Sequence, residues 1–137
     1  MVIAFLDANA LIYRIEGQEP QASAVQSELS RLSRAHPGLR VALSRLSWLE
    51  CRIGPMRRND SATLARFDAF FALPDLIWLE MDCKAVELAA AIRARHGTRT
   101  PDALQAACCL QLGNAHVMLT GDTAFKRISG LNVSLLQ

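Results

Sequence analysis

The sequence predicts an α/β fold, a three-layer α/β/α sandwich with a mainly parallel sheet, and three observations predict it. Short apolar runs of strand length alternate with longer helical patterns along all 137 residues, which is how parallel sheets covered by helices are built. The first run, Val2-Ile3-Ala4-Phe5-Leu6, is apolar without alternation, as expected of a strand buried on both faces. No internal repeat, low-complexity segment or linker interrupts the pattern. Residues 1–137 are therefore expected to form one domain, and the length suffices for a sizeable core.

Five strands are expected, at Val2–Leu6, Leu39–Leu43, Leu76–Leu79, His116–Leu119 and Asn132–Leu135. A helix over Ala8–Ile15 follows the first strand, and a second over Pro20–Ala35 turns at Pro37-Gly38 into the second strand. The next helix, Ser47–Met56, carries an apolar stripe of Leu46, Leu49 and Ile53. Asp60 caps a helix over Ser61–Leu73, and Asp82 caps one over Lys84–Arg95 that ends at His96-Gly97, with glycine just past the C-terminus. Thr100-Pro101-Asp102 reads as an N-cap, a first-turn proline and a first-turn acid for a helix over Pro101–Leu112. A short helix is expected over Thr123–Ile128.

A hydrophobic content of 51% excludes a disordered chain. The net charge of +2 neither demands nor excludes a nucleic-acid partner. The basic residues group as Arg52, Arg57 and Arg58, then Arg93, Arg95, His96 and Arg99, then Lys126 and Arg127. Such groups are solvated helix faces or phosphate contacts, for which the planar arginine fork is well shaped. Cys51, Cys83, Cys108 and Cys109 form no C-x-x-C pair and lie in or beside apolar helical patterns. They are expected to be reduced, mostly buried thiols of a cytoplasmic protein. A strand with an acid at residue 7 does not read as a signal peptide. No apolar run approaches the roughly 20 residues that span a bilayer.

Four acids stand where core residues would be expected. Asp7 ends the first strand, Asp122 follows the fourth through Thr120-Gly121, Asp102 opens an almost wholly apolar helix, and Glu50 flanks the stripe of its helix. Singly, Asp102 suits a helix N-terminus, Asp122 a turn or cap and Glu50 a surface position. Asp7 is hardest to explain that way, because an unpaired charge at the end of a buried strand is costly. Asn9 is placed to donate hydrogen bonds to Asp7 or to the backbone. Open α/β sheets bind ligands beyond the carboxyl ends of their strands, where strand order reverses. If strands one and four are neighbours, Asp7 and Asp122 share that crevice, and the two helices can bring Glu50 and Asp102 to the same rim.

Clustered carboxylates repel unless protons or a cation intervene, and hard oxygen ligands in octahedral sites belong to magnesium or manganese. Magnesium takes one or two carboxylates and keeps several waters. Four acids suit two ions, or one ion plus a carboxylate acting on water. Such a site activates water and positions a phosphodiester. The sequence holds no G-x-S-x-G, no phosphate loop and no H-E-x-x-H. His36, His96 and His116 are scattered, and His116 reads as structural.

Phe5-Leu6-Asp7-Ala8-Asn9-Ala10-Leu11-Ile12, Ser44 with Trp48-Leu49-Glu50, Thr100-Pro101-Asp102-Ala103-Leu104-Gln105-Ala106-Ala107, and Leu119-Thr120-Gly121-Asp122 followed by Phe125 together resemble a PIN-domain ribonuclease of the VapC-type toxin family. The resemblance covers nearly the whole chain. It implies a five-stranded sheet in the order 3-2-1-4-5 and metal-dependent endonuclease activity on RNA with Mg2+ or Mn2+. It also implies Asp7 and Asp102 as main metal ligands and Glu50 and Asp122 completing the site directly or through water. Asn9 and Thr120 would support them by hydrogen bonding. A homodimer and a small cognate antitoxin are the implied partners. Arg52, Arg95 and Arg99 are candidates for RNA phosphate contacts. Two alternatives stand beside this reading. A haloacid-dehalogenase-like phosphatase is partly echoed by Asp7-Ala8-Asn9-Ala10-Leu11 and Gly121-Asp122, but Asn9 and Arg127 replace two of its acids. A non-catalytic metal-binding module would keep the fold without strand scission.

Overall fold

The computed structural model describes residues 1–136. The strands are β1 (Ile3–Leu6), β2 (Arg40–Ser44), β3 (Ile77–Leu79), β4 (His116–Thr120) and β5 (Val133–Leu135). They form one sheet in the order β3-β2-β1-β4-β5, with every pair parallel. The helices are α1 (Ala8–Glu16), α2 (Gln21–Ala35), α3 (Arg45–Arg57), α4 (Ser61–Phe71), α5 (Cys83–His96) and α6 (Thr100–Leu110). Gly113–Ala115 and Thr123–Arg127 are 3₁₀ helices, the second being the short helix expected there.

β1 is buried throughout because its side chains feed both cores. Ile3 and Phe5 pack with Met118 and with α5 and α6, including Ala89, Ile92, Ala103 and Ala107. Ala4 and Leu6 pack on the opposite face with Leu11, Val25, Leu32, Cys51 and Phe67 from α1 to α4. The expected three layers follow from this two-faced burial. Strand order reverses at β1, whose partners are β2 and β4.

Most helix ends follow their local chemistry. Asp60 and Asp82 cap α4 and α5 by accepting the backbone N–H of Thr63 at 3.0 Å and of Ala85 at 2.9 Å. Gly97 ends α5 in the left-handed conformation, with φ of 67°. Three expectations need correction. Thr100 is the first residue of α6 rather than its cap. Arg99 takes the extended cap conformation, Thr100 is already helical, and no side chain caps this helix. The face that α3 buries is Ser47, Cys51 and Pro55, whereas Leu49 and Ile53 are exposed. Ser47 goes inside because hydrogen bonds satisfy it there. The same helix starts earlier than expected, because Ser44 at the end of β2 caps it by accepting the Ser47 N–H at 3.2 Å.

Cys51, Cys108 and Cys109 are buried and Cys83 is exposed. Burial pushes the Cys51 thiol up to about 12 and that of Cys108 to about 11, and raises that of Cys109. These thiols stay protonated and unreactive at neutral pH. No helix among the described residues is long and apolar enough to cross a membrane.

Candidate active site

The register of β1 on β4 sets the centre of the site. Leu6 pairs with Leu119, so the next residues, Asp7 and Thr120, emerge side by side at the carboxyl edge. The Asp7 N–H continues the ladder to the Leu119 carbonyl at 3.4 Å. Asp7 also caps α1, its Oδ1 accepting the Ala10 N–H at 2.8 Å. Its Oδ2 accepts the Thr120 hydroxyl at 2.5 Å. The Thr120 Oγ1 in turn accepts the Asp122 N–H at 3.1 Å, and Asp122 Oδ1 accepts the Ala124 N–H at 2.9 Å. A short chain of bonds thus runs from β1 through β4 to the turn that carries Asp122.

Asp7 is only 6% exposed. Burial is the chief reason its carboxyl is pushed up to about 6. The Thr120 and Ala10 hydrogen bonds oppose that rise, and the charges of Asp122 and Asp102 add to it. The Glu50 carboxyl is also raised, chiefly by burial. Gln105 opposes the rise by hydrogen bonding, Asp102 adds to it by its charge, and the Arg99 charge opposes it. The Asp7 carboxyl thus feels the charges of Asp122 and Asp102, and the Glu50 carboxyl that of Asp102.

Glu50 and Asp102 come from helices on different strands' return paths. Glu50 is in the second turn of α3, and Asp102 is in the first turn of α6. Between them lies Gln105, which was not singled out from the sequence as a site residue. Its Nε2 donates to Ser47 Oγ at 2.9 Å and reaches Glu50 Oε1 at 3.5 Å, while its Oε1 accepts the Ser44 hydroxyl at 2.7 Å. The signal available in the sequence was an amide in the otherwise apolar run Ala103–Leu110.

The supporting candidates separate. Thr120 is bonded to Asp7. Asn9 is exposed at the rim, and the N–H that Asp7 receives is Ala10's. Asn9 instead lines a cleft of about 500 Å³ with Asp7, Tyr13, Gln21, Asp122 and Thr123. Of the three arginines, Arg99 lies against the acids, its Nε donating to Asp102 at 3.2 Å. Arg52 is committed elsewhere, paired with Asp68 and lying over the Trp48 ring at 4.6 Å from its centroid. Arg95 is exposed in the last turn of α5, just before the loop that leads to Arg99. His116 is structural as expected, with Nδ1 placed to donate to the Gly113 carbonyl at 2.6 Å and Nε2 accepting the Asn132 N–H at 2.9 Å.

The donor set fits a hard divalent cation. Every candidate ligand is a carboxylate, and each Asp7 oxygen makes one hydrogen bond and keeps a further lone pair. Among the described residues, no three His, Cys, Asp or Glu side chains converge into a ready-made cage. That is compatible with magnesium, which takes one or two protein carboxylates and retains waters.

Comparison with known proteins agrees with the fold. Three crystal structures resemble the chain along nearly its full length. VapBC2 from Rickettsia felis, bound to a promoter DNA fragment, has a TM-score of 0.78 and 18% identity, covering 99% of this chain and 100% of that one. DNA-bound VapBC from Salmonella typhimurium has a TM-score of 0.75 and 21% identity, covering 98% of each chain. VapBC-1 from nontypeable Haemophilus influenzae has a TM-score of 0.75 and 20% identity, again covering 98% of each. A comparison with curated proteins gave no match. The sequence profile of the PIN domain matches residues 4–131. That span contains all four acids, Asp7, Glu50, Asp102 and Asp122. The chain belongs to the PIN domain family.

Proposed function

We propose that the protein is a metal-dependent endoribonuclease that hydrolyses RNA phosphodiester bonds, and that it is the toxin of a VapC-type toxin–antitoxin pair. The observation that carries this reading is the buried Asp7 carboxylate at the sheet's reversal point, hydrogen-bonded through Thr120 to the turn that carries Asp122. Asp7 and Asp102 would hold the Mg2+ or Mn2+ ion, and Glu50 and Asp122 would support it directly or through water. When bound, the ion lowers the proton affinity of the attacking water and steadies the departing oxygen. Thr120 and the Ala10 N–H fix the Asp7 carboxylate in one orientation, so little reorganisation is left for the reaction. Arg99 is the arginine best placed to hold a neighbouring phosphate, and Arg95 is exposed in the last turn of α5, four residues before it. Arg52 contributes only if a bound strand draws it from Asp68.

The partner side of the proposal is a small antitoxin, with a homodimer as the free state and the cytoplasm as the compartment. The similar structures from R. felis, S. typhimurium and H. influenzae are VapBC complexes. Trp48, Leu49, Ile53 and Met56 of α3 are exposed on the helix that carries Glu50. A protein covering that apolar face lies beside the acids.

The test is cleavage of total RNA with added Mn2+, with cut sites mapped, beside Asp7→Asn. Wild type is expected to cut and Asp7→Asn to be inactive while keeping its fold. Equal cutting by both proteins rejects the assignment. Metal binding without scission favours a non-catalytic module, and turnover of a phosphate monoester without RNA cleavage favours the phosphatase alternative.

A further inference from the structure

The structure assigns Gln105 as a positioning residue that sets Glu50 against Asp102, an inference that rests on the nuclease reading above. Asp102 and Gln105 are three residues apart on α6, and Ser47 and Glu50 are three apart on α3. Residues at that spacing share one helix face. The Gln105–Ser47 bond of 2.9 Å therefore fastens the two helices one turn away from the acids they carry. Gln105 is 3% exposed and Ser44 and Ser47 are fully buried, so water does not compete for these bonds.

The polarity of the amide follows from its neighbours. The Glu50 carboxylate only accepts, so the amide turns Nε2 towards it and Oε1 towards Ser44, whose hydroxyl donates at 2.7 Å. That leaves the Nε2 protons for Ser47 Oγ and for Glu50 Oε1. Both Nε2 protons are thus engaged on α3. Buried side-chain polar atoms among the described residues all have partners, so the network has no slack. Glu50 is held by α3's own backbone and by this amide, which carries no charge of its own to upset the acidic set. Gln105 is buried, and its reach towards the acids is through Glu50.

The experiment is a double-mutant cycle of Gln105→Met and Glu50→Ala. It is read by RNA cleavage and, independently, by Mn2+ binding to the RNA-free protein in calorimetry. Gln105→Met is expected to lower kcat by roughly 10-fold or more with little change in KM, and to weaken Mn2+ binding by a similar factor, the range typical of groups that orient metal ligands. In the Glu50→Ala background it is expected to do almost nothing more, because coupled residues are not additive. Ser47→Ala, which removes only the hydroxyl that Nε2 reaches, is expected to show a smaller loss of the same kind. It serves as the probe should Gln105→Met not fold. Losses that add across the cycle, or unchanged Mn2+ binding in a folded variant, overturn the assignment. If wild type binds Mn2+ but cuts no RNA, the nuclease reading fails while the binding cycle still decides the role of Gln105.

Discussion

At the scale of single residues, Asp7 links stability to chemistry. Its folded-state carboxyl lies at about 6 against an ordinary 3.8, so between those values the folded protein holds a proton that the unfolded chain has released. Stability of the metal-free protein is therefore greatest below pH 3.8 as far as this group is concerned, and falls as pH rises through about 6. The rise corresponds to roughly 3 kcal/mol, or somewhat less once the protein relaxes. Asp7→Asn removes that dependence, because its amide can accept from Ala10 and donate to Thr120 without charge. In EDTA, the variant is expected to be more stable than wild type at pH 7.5, with the difference shrinking towards pH 4.5. Denaturant titration at both pH values checks it, and a wild type as stable as Asp7→Asn at pH 7.5 contradicts it. Thr120→Val tests the other side of the same contact. It removes the hydroxyl given to Asp7 and the acceptor for the Asp122 N–H. Mn2+ affinity and cleavage are expected to drop by about 10- to 100-fold, measured by calorimetry and single-turnover kinetics.

At the scale of elements, the sheet end of β4 offers a separate prediction. His116 joins the turn before β4 to the approach of β5 by bonding Gly113 on one nitrogen and Asn132 on the other. His116→Phe leaves the Asn132 N–H without its acceptor and is expected to destabilise the fold by about 1–3 kcal/mol. Cleavage per folded molecule is expected to persist, because the site lies at the opposite end of β4. A denaturation midpoint shift without loss of activity checks it. Elements like β4 were legible in the sequence because their signal is local: continuous apolar runs for two-faced burial, and Asp60, Asp82 and Gly97 for helix ends. Arg99 as the cap of α6, the inward turn of Ser47 on α3 and the role of Gln105 were not legible. The last two depend on a partner brought from far along the chain, and the first on a backbone turn at Arg99 that no side-chain cap marks. Hydropathy favours Leu49 and Ile53 as the buried face of α3, but only the Ser44–Gln105–Ser47 bonds decide that a serine goes inside. The acids themselves were legible as anomalies. Their common destination required the adjacency of β1 and β4, which the family resemblance implied and the register of Leu6 on Leu119 displays.

At the scale of the whole molecule, the acid cluster makes stability depend on the ion that function requires. The metal-free fold carries a buried carboxylate that resists ionisation, and only Arg99 among the candidate arginines lies against the acids. A divalent cation reverses the balance, since it binds the ionised form and competes with the Asp7 proton. Affinity for Mn2+ is expected to fall by about tenfold for each pH unit below about 6, one proton being displaced, and to level off above it. At pH 7.5 and a hundredfold excess over Kd, the ion is expected to stabilise the fold by about 2.7 kcal/mol. At pH 5 the same concentration is expected to stabilise it by only about 1.4 kcal/mol, affinity being about tenfold lower, and Asp7→Asn is expected to respond weakly at both pH values. Thermal melts with and without Mn2+ at pH 5 and 7.5, beside calorimetric Kd values at each pH, read both effects. An ion that stabilises wild type equally at both pH values binds somewhere other than Asp7. An ion that stabilises Asp7→Asn as strongly as wild type leads to the same conclusion, and either result removes the central ligand from the proposed site.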